Sequence, residues 1–237
     1  MIVHVANARP RSVAEDCDLM AAPIIVSYDG TTHDDDGLVL GRMLAAAGAT
    51  LSLAYVRHSR EYDPKREEIA SHDADRRLEA GAMWLGYETV PRQVVIDPST
   101  SSGLAKLAES EHAGLIVFGS DYRTAPGRVE PGTAAQGLLD GGRVAIGVAA
   151  AGLRTQENPS IKTIAVSGNG AAQQTAQSLA STLGAELTEG VNADLILVDS
   201  RSGVPDGVLE LDGATRNRLD SARGSVIVLP GNAPLAF

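Results

Sequence analysis

Residues 114–133 read GLIVFGSDYRTAPGRVEPGT, and the fold is decided by how this stretch is put together. Leu115-Ile116-Val117-Phe118 is an unbroken apolar run, the mark of a strand covered on both faces. Gly119-Ser120 ends it, a loop with Pro126, Gly127 and Pro131 follows, and Gly132-Thr133 opens a helical stretch over 132–140. Strand, glycine turn, loop, glycine-hydroxyl, helix is how α/β chains frame an anion. Glycine lets the backbone approach closely, and the first helical turn offers free N–H groups. A plain strand-to-helix connection with a hydroxyl cap has the same string, so both readings stand at this point.

On either side the pattern repeats. Residues 24–28 (IIVSY) read as a buried strand ended by Asp29-Gly30-Thr31-Thr32, and 33–48 as a helix with Leu38, Leu40, Met43, Leu44 and Ala47 on its apolar face. Residues 51–56 form a second strand and 64–85 a long helix with Pro64 in its first turn. Residues 90–96 are a third strand, Ser99 to Ser102 cap a helix reaching His112, and 144–149 are a fifth strand after the run at 115–118. Strands alternating with helices across short loops predict an α/β doubly wound parallel sheet with right-handed crossovers.

After a polar segment at 152–160 (GLRTQENPS) the pattern restarts. Residues 161–167 are a strand ended by Gly168-Asn169-Gly170, 171–183 a helix, and 193–201 (ADLILVDSR) echo 113–120 (AGLIVFGS). Gly213-Ala214-Thr215 opens another helix, and 224–230 close with a strand. The chain therefore divides into an appendage (1–22), a first α/β unit (23–151), a linker (152–160) and a shortened repeat (161–237) missing the middle helix–strand–helix. Pairing of Val144–Ala149 with Val226–Leu229 would cover two strand edges that invite aggregation when left bare.

Composition limits the functions. With 30 Asp and Glu against 20 Lys and Arg, the chain carries a formal charge of −10, which argues against nucleic acid or an anionic membrane as partner. Cys17 is the only cysteine, so no intrachain disulfide and no cysteine-based metal site form, and the five histidines are scattered. The N-terminus lacks a signal-peptide pattern and no apolar run has membrane-spanning length, which predicts a cytoplasmic location. Asp34-Asp35-Asp36 reads as first-turn acids complementing a helix dipole, and Met83 and Trp84 as core or interface residues. Ser99–Ser102 reads as a cap because no histidine stands near it in sequence as a base. No Ser-His-Asp, Cys-His or paired-carboxylate arrangement is expected, so the protein is expected not to be an enzyme, weak ATP hydrolysis being the alternative.

The strand ending in Asp29-Gly30-Thr31, the strand ending near Val56 and the segment from Gly119 to Thr133 together resemble the universal stress protein family. Many nucleotide-binding members carry Gly, two residues, Gly, nine residues, then Gly with Ser or Thr. Here Gly119 and Gly132-Thr133 keep the spacing, and Tyr122 stands in place of the second glycine. The resemblance implies an adenine-nucleotide-binding type of fold and a regulatory, stress-response role, with ATP or a related nucleotide at the carboxyl ends of the strands. In that reading Asp29 and Gly30 face the adenosine part and Val56 gives a backbone contact to adenine. Gly119, Ser120, Gly132, Thr133 and Ala134 surround the phosphates, and Arg123 and Arg128 pair with their oxygens. Asp121 adds a negative charge to that site, which a bridging Mg²⁺ would turn into a metal ligand. In the second unit Asp199 takes the place of Gly119 and residues 200–212 keep no clear glycine pattern, so that half is expected to bind no nucleotide and to pack on the first as an intrachain pseudo-dimer. A homodimer of such chains is compatible with this. The alternative is a nucleotide-free relative that acts through protein contacts.

Overall fold

The computed structural model describes residues 22–87 and 89–237. All of the expected appendage (1–22) but its last residue, and with it Cys17, lies outside the described residues.

Short apolar runs become strands and amphipathic runs become helices, in the order the sequence predicts. The first half is β1 (Ile24–Ser27), α1 (Asp34–Ala45), β2 (Leu51–Arg57), α2 (Pro64–Leu85), β3 (Arg92–Ile96), α3 (Thr100–Ser110), β4 (Leu115–Phe118), α4 (Thr133–Leu139) and β5 (Ala145–Val148). The second is β6 (Thr163–Ser167), α5 (Ala171–Leu183), β7 (Glu186–Thr188), β8 (Asn192–Asp199), α6 (Gly213–Ser221) and β9 (Arg223–Leu229). Helix ends follow local chemistry. The Asp63 carboxylate accepts from the N–H groups of Lys65 and Arg66 ahead of Pro64, and Gly86 closes α2 in the left-handed conformation at φ 74°.

Among the described residues, nine strands join one sheet in the order β3-β2-β1-β4-β5-β9-β8-β6-β7. Every neighbouring pair is parallel except β5 and β9, which run antiparallel with Gly147 opposite Ile227. The order β7-β6-β8-β9 is that of β2-β1-β4-β5, with no counterpart of α2, β3 and α3. β7, only three residues long, has no apolar run to announce it.

Alternate residues of the central strands feed two cores. Ile24, Val26, Leu115 and Val117 pack under α1, α2 and α5, whereas Ile25, Ile116 and Phe118 pack under α3, α4 and α6. Burial on both faces explains why these strands read as continuous apolar runs. The chain leaves β1 for one face and β4 for the other, which opens a crevice between their carboxyl ends; β6 and β8 do the same in the second half.

The first residues of the segment 152–160 are docked on the fold. Leu153–Thr155 form a 3₁₀ turn with Leu153 buried, and the Asp36 carboxylate accepts from the N–H groups of Gly152 (2.9 Å) and Arg154 (2.7 Å) and from the Arg154 guanidinium (2.6 Å).

Candidate functional site

At the first crevice the β1–α1 turn is built from its own carboxylates. Gly30 takes φ 89°, Thr31 N–H donates to Asp29 Oδ1 at 3.0 Å, and Asp29 N–H donates to Asp34 Oδ2 at 2.9 Å. Burial and the adjacent Asp29 carboxylate push the Asp34 carboxyl up to about 8, while the bond to Asp34 holds Asp29 below its ordinary value. The two carboxyls are thus shifted in opposite directions, a pairing of groups five residues apart that was not expected. Arg77 of α2 completes the turn. Its guanidinium donates to the Asp29 carbonyl at 3.2 Å and to the Tyr55 hydroxyl at 3.1 Å, and lies 5.1 Å from the Tyr55 ring centre. Asp29 and Gly30 are exposed at the mouth, while Val56 is buried near the end of β2.

The loop 119–132 has a scaffold that explains several of the residues assigned to phosphate. The Ser120 hydroxyl donates to the Ala149 carbonyl at 2.7 Å and accepts from Glu130 N–H at 3.2 Å, leaving Ser120 only 5% exposed. The same bonds recur 80 residues later: Ser200 Oγ donates to Leu229 O at 2.9 Å and accepts from Glu210 N–H at 3.4 Å. Asp121 N–H to Glu130 O and Gly127 N–H to Ala151 O match Arg201 N–H to Glu210 O and Gly207 N–H to Gly231 O. Loop 200–212, which showed no glycine pattern, is therefore the same loop held by the same hydroxyl. A serine kept for this bond in a copy that has Asp199 at its phosphate position is a scaffold residue.

The two motif glycines have different physical reasons. A Cβ on Gly119 would lie inside the van der Waals envelope of the His33 carbonyl, because the start of α1 rests directly on the end of β4. Gly119 is thus required by packing alone. A Cβ on Gly132 would meet nothing within 4 Å, and its φ of −67° suits any residue. Nothing inside the protein asks for glycine there. Gly132 precedes α4 without a side-chain cap, so no side chain accepts from the first-turn N–H groups there.

The charged residues of the loop are placed differently from one another. Asp121 Oδ1 accepts from Arg123 N–H at 3.0 Å. Tyr122 is 59% exposed, its ring 6.1 Å from that of His33, and the Arg123 guanidinium sits 4.8 Å from the Tyr122 ring centre. Arg128 reaches away from the crevice to the Asp220 carbonyl at 2.9 Å, on the last turn of α6. Asp29, Gly132, Thr133 and Ala134 therefore remain open to a ligand, whereas the Ser120 hydroxyl and the Arg128 guanidinium are engaged within the protein.

In the second crevice both corresponding positions hold carboxylates. Asp199 accepts from the N–H groups of Gly170 (3.0 Å) and Ala172 (2.7 Å) at the start of α5, and Asp212 caps α6 through Thr215 N–H at 2.8 Å. A Cβ on Gly168 would strike the Asp199 carboxylate, so glycine is obligatory there, as its φ of 140° also demands.

The aspartate run at 34–36 does more than complement a dipole. Asp34 pairs with Asp29, Asp35 accepts from the Tyr28 hydroxyl at 3.3 Å, and Asp36 anchors residues 152–154. Burial, and then the charge of Asp35, raise the Tyr28 hydroxyl to about 12. Near the Ser99 cap the sequence missed a histidine: His58 Nε2 lies 2.9 Å from Thr100 Oγ1, brought there by β2 from 42 residues away. Arg77 and Arg154 were missed as well, because helical spacing and a polar linker carry no sign of what faces them across the fold. Among the described residues no group of three or more His, Cys, Asp or Glu could hold a metal, and no helix is long and apolar enough to cross a membrane.

No family model matches this sequence, and no curated protein does. Solved structures do. A universal stress protein from Archaeoglobus fulgidus DSM 4304 superposes with a TM-score of 0.63 at 14% identity, over 87% of this chain and 98% of that one. A functionally unknown protein from Pseudomonas aeruginosa PAO1 gives a TM-score of 0.54 at 14% identity, over 90% and 94%. With its mostly parallel sheet and its crevices at the strand ends, this chain has a fold similar to that of universal stress proteins.

Proposed function

We propose that the chain is a non-catalytic, universal-stress-like regulatory protein whose first crevice binds ATP or a related adenine nucleotide. One observation carries this reading: Gly132 leaves the start of α4 uncapped with open space in front of it, where the second copy has the capping carboxylate of Asp212. An uncapped helix start beside a crevice at the strand ends suits a phosphate. The backbone of Thr133 and Ala134 would meet that phosphate. Exposed Asp29 would face the ribose, with Gly30 beside it, and the main chain at Val56 the base. Mg²⁺ would be held by the phosphates and the oxygen of Asp121 that does not bond Arg123. Arg123 would have to leave the Tyr122 ring to take part.

The test is the amount of nucleotide released on denaturing freshly purified protein, per chain, before and after incubation with ATP and Mg²⁺. About one adenine nucleotide per chain is expected, and none in Gly132→Val, whose Cβ meets no protein atom within 4 Å. No nucleotide in the natural protein under either condition overturns the reading.

A second reading, a nucleotide-free protein acting through protein contacts, is favoured by a separate observation. Ser120 and Arg128 are engaged internally, and Met83, Trp84 and Tyr87 present apolar surface at the end of α2. Tight ATP binding that Gly132→Val removes would exclude it.

A further inference from the structure

The second crevice is built like an anion cradle and filled by the protein itself. Its cavity of about 250 Å³ is lined by Ser167, Gly168, Asp199, Arg201, Asp212 and Arg218 among others. Its donors are backbone N–H groups of Gly170, Ala172 and Thr215, and every one of these is taken by Asp199 or Asp212. Glycine at 168 is kept free of a side chain by the Asp199 carboxylate lying against it. Ser167 Oγ, fully shielded from solvent, has no hydrogen-bond partner in the same cavity. Remove the two carboxylates, and what remains is a glycine-lined recess with Arg218, with Arg201 held by Glu210 at 2.8 Å, and with three free N–H groups and a hydroxyl. Such a recess takes a small tetrahedral oxyanion.

We propose that Asp199 and Asp212 are built-in occupants that close the second crevice to phosphate-bearing ligands, so that one chain offers one ligand site. This extends the reading of the first crevice as the nucleotide site. The carboxylates act in two ways: they use the donors a phosphate needs, and they repel its charge. The same groups cap α5 and α6, so closure and helix stability come from the same bonds.

The test uses the full chain with inorganic phosphate as probe, in a Gly132→Val background that removes the first crevice from the measurement. Thermal midpoints are followed against phosphate for Gly132→Val alone and with Asp199→Ala or Asp212→Gly added. The parent is expected not to respond at phosphate concentrations that raise the midpoint of the Asp199→Ala protein. That rise is about 3–6 °C at ten times the dissociation constant, and it disappears when Arg218→Ala is added. If Asp199→Ala does not fold, Asp199→Ser, which keeps one capping oxygen without the charge, serves in its place with a smaller rise. An equal response in the parent, or no response in either added variant, overturns the proposal. Absence of nucleotide from the natural protein would count against the first-crevice reading alone, since this measurement does not depend on it.

Discussion

At Asp34 a half-buried carboxyl accepts the Asp29 N–H and lies against the Asp29 carboxylate, and the result is a pH dependence with a definite sign. Asp34 titrates near 8 in the folded protein and near its ordinary 3.8 in the unfolded chain. Between those values the folded state holds a proton that the unfolded state has released, so stability falls as pH rises from about 4 to about 8. Asp29, shifted the other way, contributes stability that is present at neutral pH and lost as pH falls through its depressed value. Asp34→Asn keeps an acceptor for Asp29 N–H and gains an amide donor toward Asp29, imitating the protonated acid. It should flatten the decline, worth on the order of 1–3 kcal/mol after allowance for solvent, in urea midpoints at pH 4.5, 6 and 7.5. An unchanged slope would show that the fold does not hold Asp34 protonated. Asp36 makes the opposite kind of prediction. Its side chain is 2% exposed and is paired with Arg154, so Asp36→Ala strands a cation and two N–H groups. The expected loss is about 3 kcal/mol, with Arg154→Ala adding little on top in the double variant.

The loops after β4 and β8 show, at the level of elements, what a motif can and cannot say. Spacing from Gly119 to Gly132 was legible because loop length is a property of sequence. The roles inside it were not, because they depend on what the loop touches: Gly119 answers to the His33 carbonyl, Ser120 to the Ala149 carbonyl, and Arg128 to the end of α6. The second copy separates scaffold from site, since Ser200 keeps the bond of Ser120 while Asp199 and Asp212 replace the two glycines. Ser120→Ala and Ser200→Ala should therefore cost similar stability. Each leaves a part-buried N–H, of Glu130 or of Glu210, without its acceptor, about 1 kcal/mol. Ser120→Ala should keep nucleotide affinity within a few-fold, measured by calorimetry on protein below its unfolding temperature. Loss of nucleotide with no loss of stability would return Ser120 to the phosphate site.

Across the whole molecule, most of the architecture could be read from the alternation of apolar runs and amphipathic segments, which is local information. β7 could not, since Glu186-Leu187-Thr188 has too few residues to show a period, and neither could the docking of 152–155, which depends on Asp36 more than a hundred residues earlier. The joint between β5 and β9 was legible for a different reason: strands that end two open sheets are edges, and edges of buried composition must be covered. In the fold β9 covers β5 with antiparallel bonds from Ile146–Val148 to Val226–Val228, and Ser225 Oγ accepts from Ala150 N–H at 3.1 Å. This makes a prediction about the chain cut in two. A fragment of residues 22–156 keeps Arg154 with Asp36 but bares β5, whose residues 145–148 are all buried in the intact sheet. With its own core complete and one apolar edge open, the fragment should pair with itself through two antiparallel β5 strands and run at twice its mass in light scattering. Val148→Pro, which removes an N–H and disfavours the strand at that edge, should return it to a monomer of unchanged helical content. A fragment that is monomeric with β5 intact would mean that the edge is not what holds the two halves of the sheet together.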